Sequence, residues 1–173
     1  MKKQLTTIAI AVAFSAGIAS AQTTWHAILT GSQEVPANAS TATGVGTVIL
    51  NAAQTQITVD ESWIGLIGGP ATISHIHGPA GVGTNASVLF PFSGVPSATS
   101  GSIPEQTFSI TPTQVGYLQN GLLYFNVHDN TFQGGEIRGQ IVPVPEPSTL
   151  ALWGVSGAGG LLVWLRRRAR ARG

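Results

Sequence analysis

Cysteine is absent from the 173-residue sequence, and methionine occurs only as Met1. Without thiolates the chain can form no disulfide, no cysteine-ligated zinc or iron–sulfur site and no blue-copper centre. Charged residues make up only 9% of the chain. We also find no Ser-His-Asp order, no pair of catalytic carboxylates, no phosphate-binding glycine loop and no internal repeat. The sequence therefore indicates none of the common enzyme classes, and a metal site would have to use histidine and oxygen ligands.

The first 21 residues predict a secretory signal peptide. Two lysines stand at positions 2 and 3, residues 5–18 form a mostly apolar run, and Ala19-Ser20-Ala21 fits an A-x-A cleavage site. Cleavage after Ala21 by signal peptidase would leave a mature chain that begins at Gln22. The alternative is a buried N-terminal helix, which is weaker because the run lacks a polar face.

A second apolar segment, residues 148–165, contains 18 uncharged and largely apolar residues. At about 1.5 Å per residue, a helix of this length spans roughly 27 Å, close to the hydrocarbon thickness of a bilayer. Five arginines follow within residues 166–173, and the positive-inside rule keeps them in the cytoplasm, as it does the two N-terminal lysines. We therefore predict a C-terminal transmembrane helix, with the domain between the two ends on the outer side of the membrane.

The segment Val144-Pro145-Glu146-Pro147-Ser148 directly precedes this span. A Pro-Glu-Pro motif, an apolar span and an arginine cluster, in that order, resemble the PEP-CTERM sorting signal of Gram-negative bacteria. The resemblance assigns residues 143–173 to a sorting signal. It implies recognition by an exosortase-type membrane protease, removal of the tail near Pro145, Glu146 and Pro147, and release to the cell surface or extracellular matrix. An ordinary tail anchor is the alternative.

The segment between the two ends is acidic. From Gln22 to Pro147, Arg138 is the only Lys or Arg against seven Asp and Glu, a net charge of −6, whereas the whole chain carries +1. Such a surface repels phosphate backbones, so nucleic acid is not an expected partner, while divalent cations are compatible with it. The 126 residues of this segment suffice for one domain with its own core.

Alternation of apolar and polar residues predicts β-strands in this segment, and clusters of glycine and proline separate them. One short helix is expected over 112–119, with Thr111 as N-cap and Pro112 at the first helical position. Many short strands and a single short helix predict an all-β fold, an antiparallel Greek-key β-sandwich that resembles immunoglobulin-like domains. The predicted strands cover residues 24–30, 44–50, 55–65, 71–77, 86–91, 106–110, 122–128 and 135–142.

The segment from His26 to Val142 also resembles a known family as a whole. The blocks LTGSQEVPA, GPATISHIHGPAGVGTNASV, LLYFNVHDN and GGEIRGQI follow in the order and spacing of the CHRD domain, named after chordin. We accordingly assign residues 22–142 to a CHRD β-sandwich domain. The resemblance implies an exported domain, but it implies no particular biochemical activity.

Three of the four histidines are predicted to project from one face of the sheet. His75 and His77 lie two residues apart on a predicted strand, so their side chains share a face. On the strand 122–128, the apolar residues face the core and His128 faces the other way. If these strands are neighbours, three imidazoles converge and could bind Cu(II), Zn(II) or Ni(II), with Asp129 as an optional oxygen ligand. The alternative is that the histidines only hydrogen-bond to loops and to each other.

The same pattern is similar to the copper ligands of Cu/Zn superoxide dismutases, whose fold is also a Greek-key sandwich. On this resemblance His75, His77 and His128 correspond to three copper ligands. The chain departs from that family because only His26 is left for the adjoining zinc site and because there is no disulfide. The resemblance therefore implies a mononuclear copper or zinc site, capable of simple redox chemistry, rather than a two-metal dismutase. His26 is interpreted as structural.

Two acidic residues are expected to interact with Arg138. Glu136 lies two residues before Arg138 on a predicted strand, so the two side chains should share a face and form a structural ion pair. Glu34 is another carboxylate that this single cation could bind. Both interpretations give Arg138 a structural role and no contact with a substrate.

Trp25, Trp63 and Phe132 raise the alternative of a sugar-stacking platform, which would make exopolysaccharide a partner. Packing in the core is the simpler interpretation. The whole sequence predicts an exported cell-surface or matrix protein with a non-enzymatic structural or binding role. Its alternative function is binding of copper or zinc by the three histidines.

Overall fold

The computed structural model describes residues 22–144. The predicted signal peptide (1–21), the Pro-Glu-Pro residues 145–147, the predicted membrane span (148–165) and the arginine tail (166–173) lie outside the described residues. Within residues 22–144, no helix has the length and apolar character needed to cross a membrane.

The described chain is an antiparallel β-structure with one α-helix, α1, and a short 3-10 helix at Gly31–Gln33. This confirms the predicted all-β class, and the predicted helix has the same bounds in the structure. Thr111 caps α1 as expected, because its hydroxyl accepts a hydrogen bond from the amide of Gln114. The elements are β1 (Thr23–Thr30), β2 (Thr43–Leu50), β3 (Gln56–Ile64), β4 (Ala71–His77), β5 (Val88–Pro91), β6 (Gly101–Ser109), α1 (Pro112–Gln119), β7 (Tyr124–Asp129), β8 (Ile137–Gln140) and β9 (Val142–Pro143).

The strands form one nine-stranded sheet in the order β5-β4-β7-β8-β1-β2-β3-β6, and β9 also pairs with β1. The two ends of this order approach each other, because Phe90 of β5 lies 5.5 Å from Phe108 of β6 between ring centroids. The side-chain amide of Gln106 adds two-way hydrogen bonds to the backbone of Ser93, just after β5. The sheet thus curves into a nearly closed sandwich around one core.

Two predicted strands differ from those in the structure by more than two residues. β6 begins at Gly101, five residues before the predicted start at 106, although it contains Pro104. β6 ends the strand order, and an edge position tolerates a proline that has no N–H to donate. The predicted strand 135–142 is divided into β8 and β9, and Glu136 lies before β8 rather than in it.

The core is filled by the inward-facing residues of all the long strands. Leu29, Val48, Ile57, Ile76 and Phe125 are each 0% exposed. Trp25 and Trp63 are each only 3% exposed, so they belong to this core, and with Phe132 half-buried the three aromatics do not form an exposed sugar-stacking platform. The core interpretation of the tryptophans is confirmed.

Candidate metal centre

The pairing of β4 with β7 brings the histidines together. In this antiparallel pair, His75 lies opposite Asn126, His77 opposite Tyr124 and Ile73 opposite His128. Because the side chains of a strand alternate between faces, Ile76 points into the core between the two histidines of β4. His75, His77 and His128 therefore project from the same face of two neighbouring strands, as the sequence predicted.

The three imidazoles form a compact cluster. The ring centroid of His75 lies 4.5 Å from that of His77 and 4.6 Å from that of His128, and the His77 and His128 centroids are 6.1 Å apart. One ring nitrogen of each histidine lies within 4.8 Å of the others. Among residues 22–144, this is the one group of three or more potential ligands that meets this spacing.

Backbone carbonyls fix the protonation pattern of two of the rings. His77 Nδ1 lies 2.9 Å from the carbonyl oxygen of Ala86, and His128 Nδ1 lies 2.9 Å from that of Gln133. A carbonyl oxygen only accepts hydrogen bonds, so each Nδ1 carries the proton and each Nε2 keeps a lone pair. Histidines that bind metals are held in this way in most known sites.

Three buried nitrogens of the cluster lack a hydrogen-bond partner among the described residues. They are His75 Nδ1, His77 Nε2 and His128 Nε2. An unpaired buried polar atom is costly, and native structures contain few of them. A bound transition-metal ion would use all three lone pairs at once, and so the residues fit such an ion.

Loops cover the outer face of the sheet at this cluster. His75 and His128 are 7% and 6% exposed, and Tyr124 and Asn126 on the same face of β7 are 2% and 3% exposed. Alternation places these side chains on the face away from the core, but it does not show that loops bury them there. The outer face of β7 is a second, polar interior, because the loops that follow β4 and β7 fold back over it.

Burial keeps the imidazoles neutral. It lowers the pKa of His75 to about 3, with further lowering by the neighbouring His128 and His77. Burial also lowers the pKa of His77 and of His128, more than their carbonyl partners raise it. At neutral pH all three rings are therefore in the uncharged form that metal ligation requires.

Comparison with family models identifies this fold. A model of the CHRD domain matches residues 25–141, and a model of the PEP-CTERM protein-sorting motif matches residues 143–168. The chain belongs to the CHRD domain family. No curated protein and no solved structure matches the chain. The sorting motif indicates an exported protein that an exosortase processes, and it begins at the last residue of β9.

The expected ion pair between Glu136 and Arg138 is not formed in the described CHRD domain. Because Glu136 precedes β8, its carboxylate turns to the amides of Ile67 and Gly68 and to the hydroxyl of Ser40. Glu34 accepts a hydrogen bond from the side chain of Asn126. Burial raises the pKa of Glu34 to about 7, although Asn126 and then the charge of Arg138 oppose the shift.

Asp129, the optional fourth ligand, and His26, the remaining histidine, do not join the cluster. Asp129 follows His128 and points to the opposite face of β7, where its Oδ1 accepts hydrogen bonds from the amides of Thr131 and Phe132. It is not in the group of mutually close ligand atoms. His26 on β1 is exposed and pairs with Thr47 and Val142 instead. Within the described residues, the cluster thus contains three imidazoles and no carboxylate.

The backbone groups that hold the histidines are not predictable from the sequence. The carbonyls of Ala86 and Gln133 leave no sequence signal, because any residue type supplies them. Tyr124 stacks on His77 with ring centroids 4.9 Å apart and an interplanar angle of 4°. Its position two residues before Asn126 and four before His128 places it on their face, so alternation alone was sufficient to find it.

Proposed function

We propose that the CHRD domain is an exported, surface-sorted binding protein that holds one copper or zinc ion with His75, His77 and His128. The observation that supports this proposal is the convergence of three neutral imidazoles whose buried lone pairs have no partner in the described structure. The role that we propose for this site is metal binding.

The ligand set favours borderline metal ions. Imidazole nitrogen suits copper, zinc and nickel, whereas calcium and magnesium require oxygen ligands. Metal–nitrogen bonds of about 2.0–2.1 Å place two ligand nitrogens at most about 4.2 Å apart. Nitrogens within 4.8 Å of one another reach that spacing by small side-chain rotations. Three nitrogens leave a fourth position open for water or another ligand.

The sorting motif sets where this site would act. The PEP-CTERM match at residues 143–168 supports a precursor held at the inner membrane and later released to the cell surface or matrix by an exosortase-type protease. A surface protein of this kind meets metal ions outside the cytoplasm. Capture of copper or zinc at the cell surface is the function that we infer.

Titration calorimetry tests the proposal. The full-length protein, purified in detergent without a histidine tag, is titrated with Cu(II) and with Zn(II) beside the single variants His75→Ala, His77→Ala and His128→Ala. We expect one ion per wild-type chain, and an affinity lower by at least about 10- to 100-fold in each variant, because losing one of three ligands should cost no less than losing a group that only orients a ligand.

His26→Ala is the matched control, since it removes the exposed histidine outside the cluster. It should bind as the wild type does. The proposal is wrong if the wild type binds neither ion, or if the three cluster variants bind as tightly as His26→Ala. The CHRD domain would then be a surface protein whose histidines serve only to hold loops.

A further inference from the structure

The loop between β4 and β5, residues 78–87, is attached to the histidine cluster through the backbone of one residue, Ala86. The carbonyl of Ala86 accepts the hydrogen bond from His77 Nδ1, while the amide of Ala86 donates to the hydroxyl of Tyr124 at 3.1 Å. The orientation of His77 therefore depends on where this loop holds Ala86.

Arg138 binds the same loop through its side chain. It is 1% exposed, and its guanidinium donates hydrogen bonds to the carbonyl of Thr84 at 2.8 Å, the side chain of Asn85 at 3.1 Å and the carbonyl of Gly81 at 3.4 Å. The planar guanidinium group of Arg138 thus binds three residues of the loop. In residues 22–144 this is the only Lys or Arg.

Arg138 also supports His77 through Tyr124. The guanidinium carbon lies 3.4 Å from the centroid of the Tyr124 ring, and His77 stacks on the same ring. β4 and β8 flank β7 on opposite sides, so Tyr124 lies between the imidazole and the guanidinium. Arg138 therefore contacts one support of His77, the Tyr124 ring, and binds Asn85, which directly precedes the other support, Ala86.

We propose that Arg138 is a positioning residue for the metal centre. It orders residues 81–86 and the Tyr124 ring, so that His77 keeps its proton on Nδ1 and presents Nε2 to the ion. The inference rests on the metal-binding function proposed above. Groups that orient a metal ligand from outside commonly change metal affinity by about 10- to 100-fold when they are removed.

Electrostatics alone gives the opposite expectation. A positive charge near the cluster repels a cation, so removal of Arg138 would raise the affinity for a divalent metal if charge were its only effect. A positioning role requires the affinity to fall. The sign of the change therefore distinguishes the two, and a purely structural role would lower stability and leave the affinity of the folded protein unchanged.

The test compares Arg138→Gln and Arg138→Lys with wild type in the full-length protein. We expect Cu(II) affinity to fall about 10- to 100-fold in Arg138→Gln, with a changed Cu(II) paramagnetic resonance spectrum. Arg138→Lys keeps the charge but cannot bind three loop acceptors with a planar fork, so it should also lose affinity, by a smaller factor. Thr111→Ala, which removes the cap of α1, is a control for lost stability and should bind as wild type does.

A second measurement needs no metal. Long-range proton–nitrogen NMR of the metal-free protein should show His77 in the Nδ1–H tautomer in wild type and a mixture of tautomers in Arg138→Gln. If that variant does not fold, the exposed Asn85→Ala removes one guanidinium partner and should produce a smaller shift of the same kind.

Each outcome decides between the proposals. If Arg138→Gln folds and binds Cu(II) as tightly as wild type or more tightly, the positioning role is wrong. If Arg138→Gln does not fold, the positioning role is wrong when Asn85→Ala has an unchanged affinity and an unchanged His77 tautomer. Neither result contradicts the metal site itself. A wild type that binds no metal overturns the proposed function. The NMR comparison then still decides whether Arg138 orients His77, and an unchanged tautomer in the folded Arg138 variant refutes that as well.

Discussion

Glu61 on β3 is a carboxyl group inside the core, 1% exposed. The hydroxyl of Ser74 contacts both Glu61 Oε2 and the carbonyl oxygen of Asn126. Ser74 has one proton, and the carbonyl can only accept it. Both contacts are hydrogen bonds only if Glu61 is protonated and donates to Ser74, and burial accordingly raises the pKa of Glu61 to about 8.

This proton makes stability depend on pH. The pKa of Glu61 is higher in the folded chain than the ordinary value of 4.5, so the stabilisation that goes with the neutral carboxyl is complete below about pH 4.5. It is lost as pH rises through about 8. Glu61→Gln keeps a donor to Ser74 and has no charge to bury. We expect the variant to match wild type at pH 4 and to exceed its free energy of unfolding by a few kcal/mol at pH 9.

Urea denaturation at pH 4, 7 and 9 measures this difference. Glu105→Gln, at an exposed position of β6, is the matched control and should change stability by less than about 0.5 kcal/mol at each pH. An advantage of Glu61→Gln that is the same at pH 4 and pH 9 would contradict a buried, titrating carboxyl.

At the scale of the element, one glycine of β2 makes room for a large side chain of β7. A Cβ added at Gly46 would lie 2.6 Å from the ring of Phe125, which is 0% exposed. Gly116 in α1 differs, because a Cβ there meets nothing within 4 Å. Gly46 is therefore required by the packing of Phe125, whereas packing does not require a glycine at position 116.

Alanine substitutions should separate these roles. Gly46→Ala should destabilise the fold by about 1–3 kcal/mol, because Phe125 has to shift inside a filled core. Gly116→Ala should stabilise it by about 0.5–1 kcal/mol, since alanine loses less backbone entropy in a helix. Free energies of unfolding from urea titrations measure both, and a Gly46→Ala protein as stable as wild type would show that the Phe125 ring has free space.

Alternation in the sequence located both strands that carry the histidines. β4 has its predicted bounds and β7 begins two residues later than predicted, because alternation marks which side of a strand is apolar. The same rule placed His75, His77 and His128 on one face. It could not show that loops cover that face, since loop conformation depends on contacts such as those of Arg138 with residues 81–85. The predicted ion pair between Glu136 and Arg138 is wrong for a related reason, because Glu136 lies in a loop and not on the strand of Arg138.

At the scale of the whole molecule, the proposed site exists only when the sheet is complete. Its ligands are 53 residues apart along the chain, from His75 to His128, and the pairing of β4 with β7 brings them together. Six acids and one arginine give residues 22–144 a net charge of −5, which favours cations in general and selects none. Selectivity must come from the imidazoles.

Metal binding should therefore raise the thermal stability of the whole domain. An ion that binds only the folded chain, at a free concentration 100 times its dissociation constant, adds about 2.7 kcal/mol to the free energy of unfolding. For a domain of this size we expect the melting temperature to rise by about 10 °C. Differential scanning calorimetry with Cu(II) or Zn(II) measures the rise, and excess EDTA should reverse it. His128→Ala should show no rise, and Mg(II) should have no effect on wild type, because magnesium requires oxygen ligands. Equal rises with Mg(II), or in His128→Ala, would trace the effect to the acidic surface instead of the three histidines.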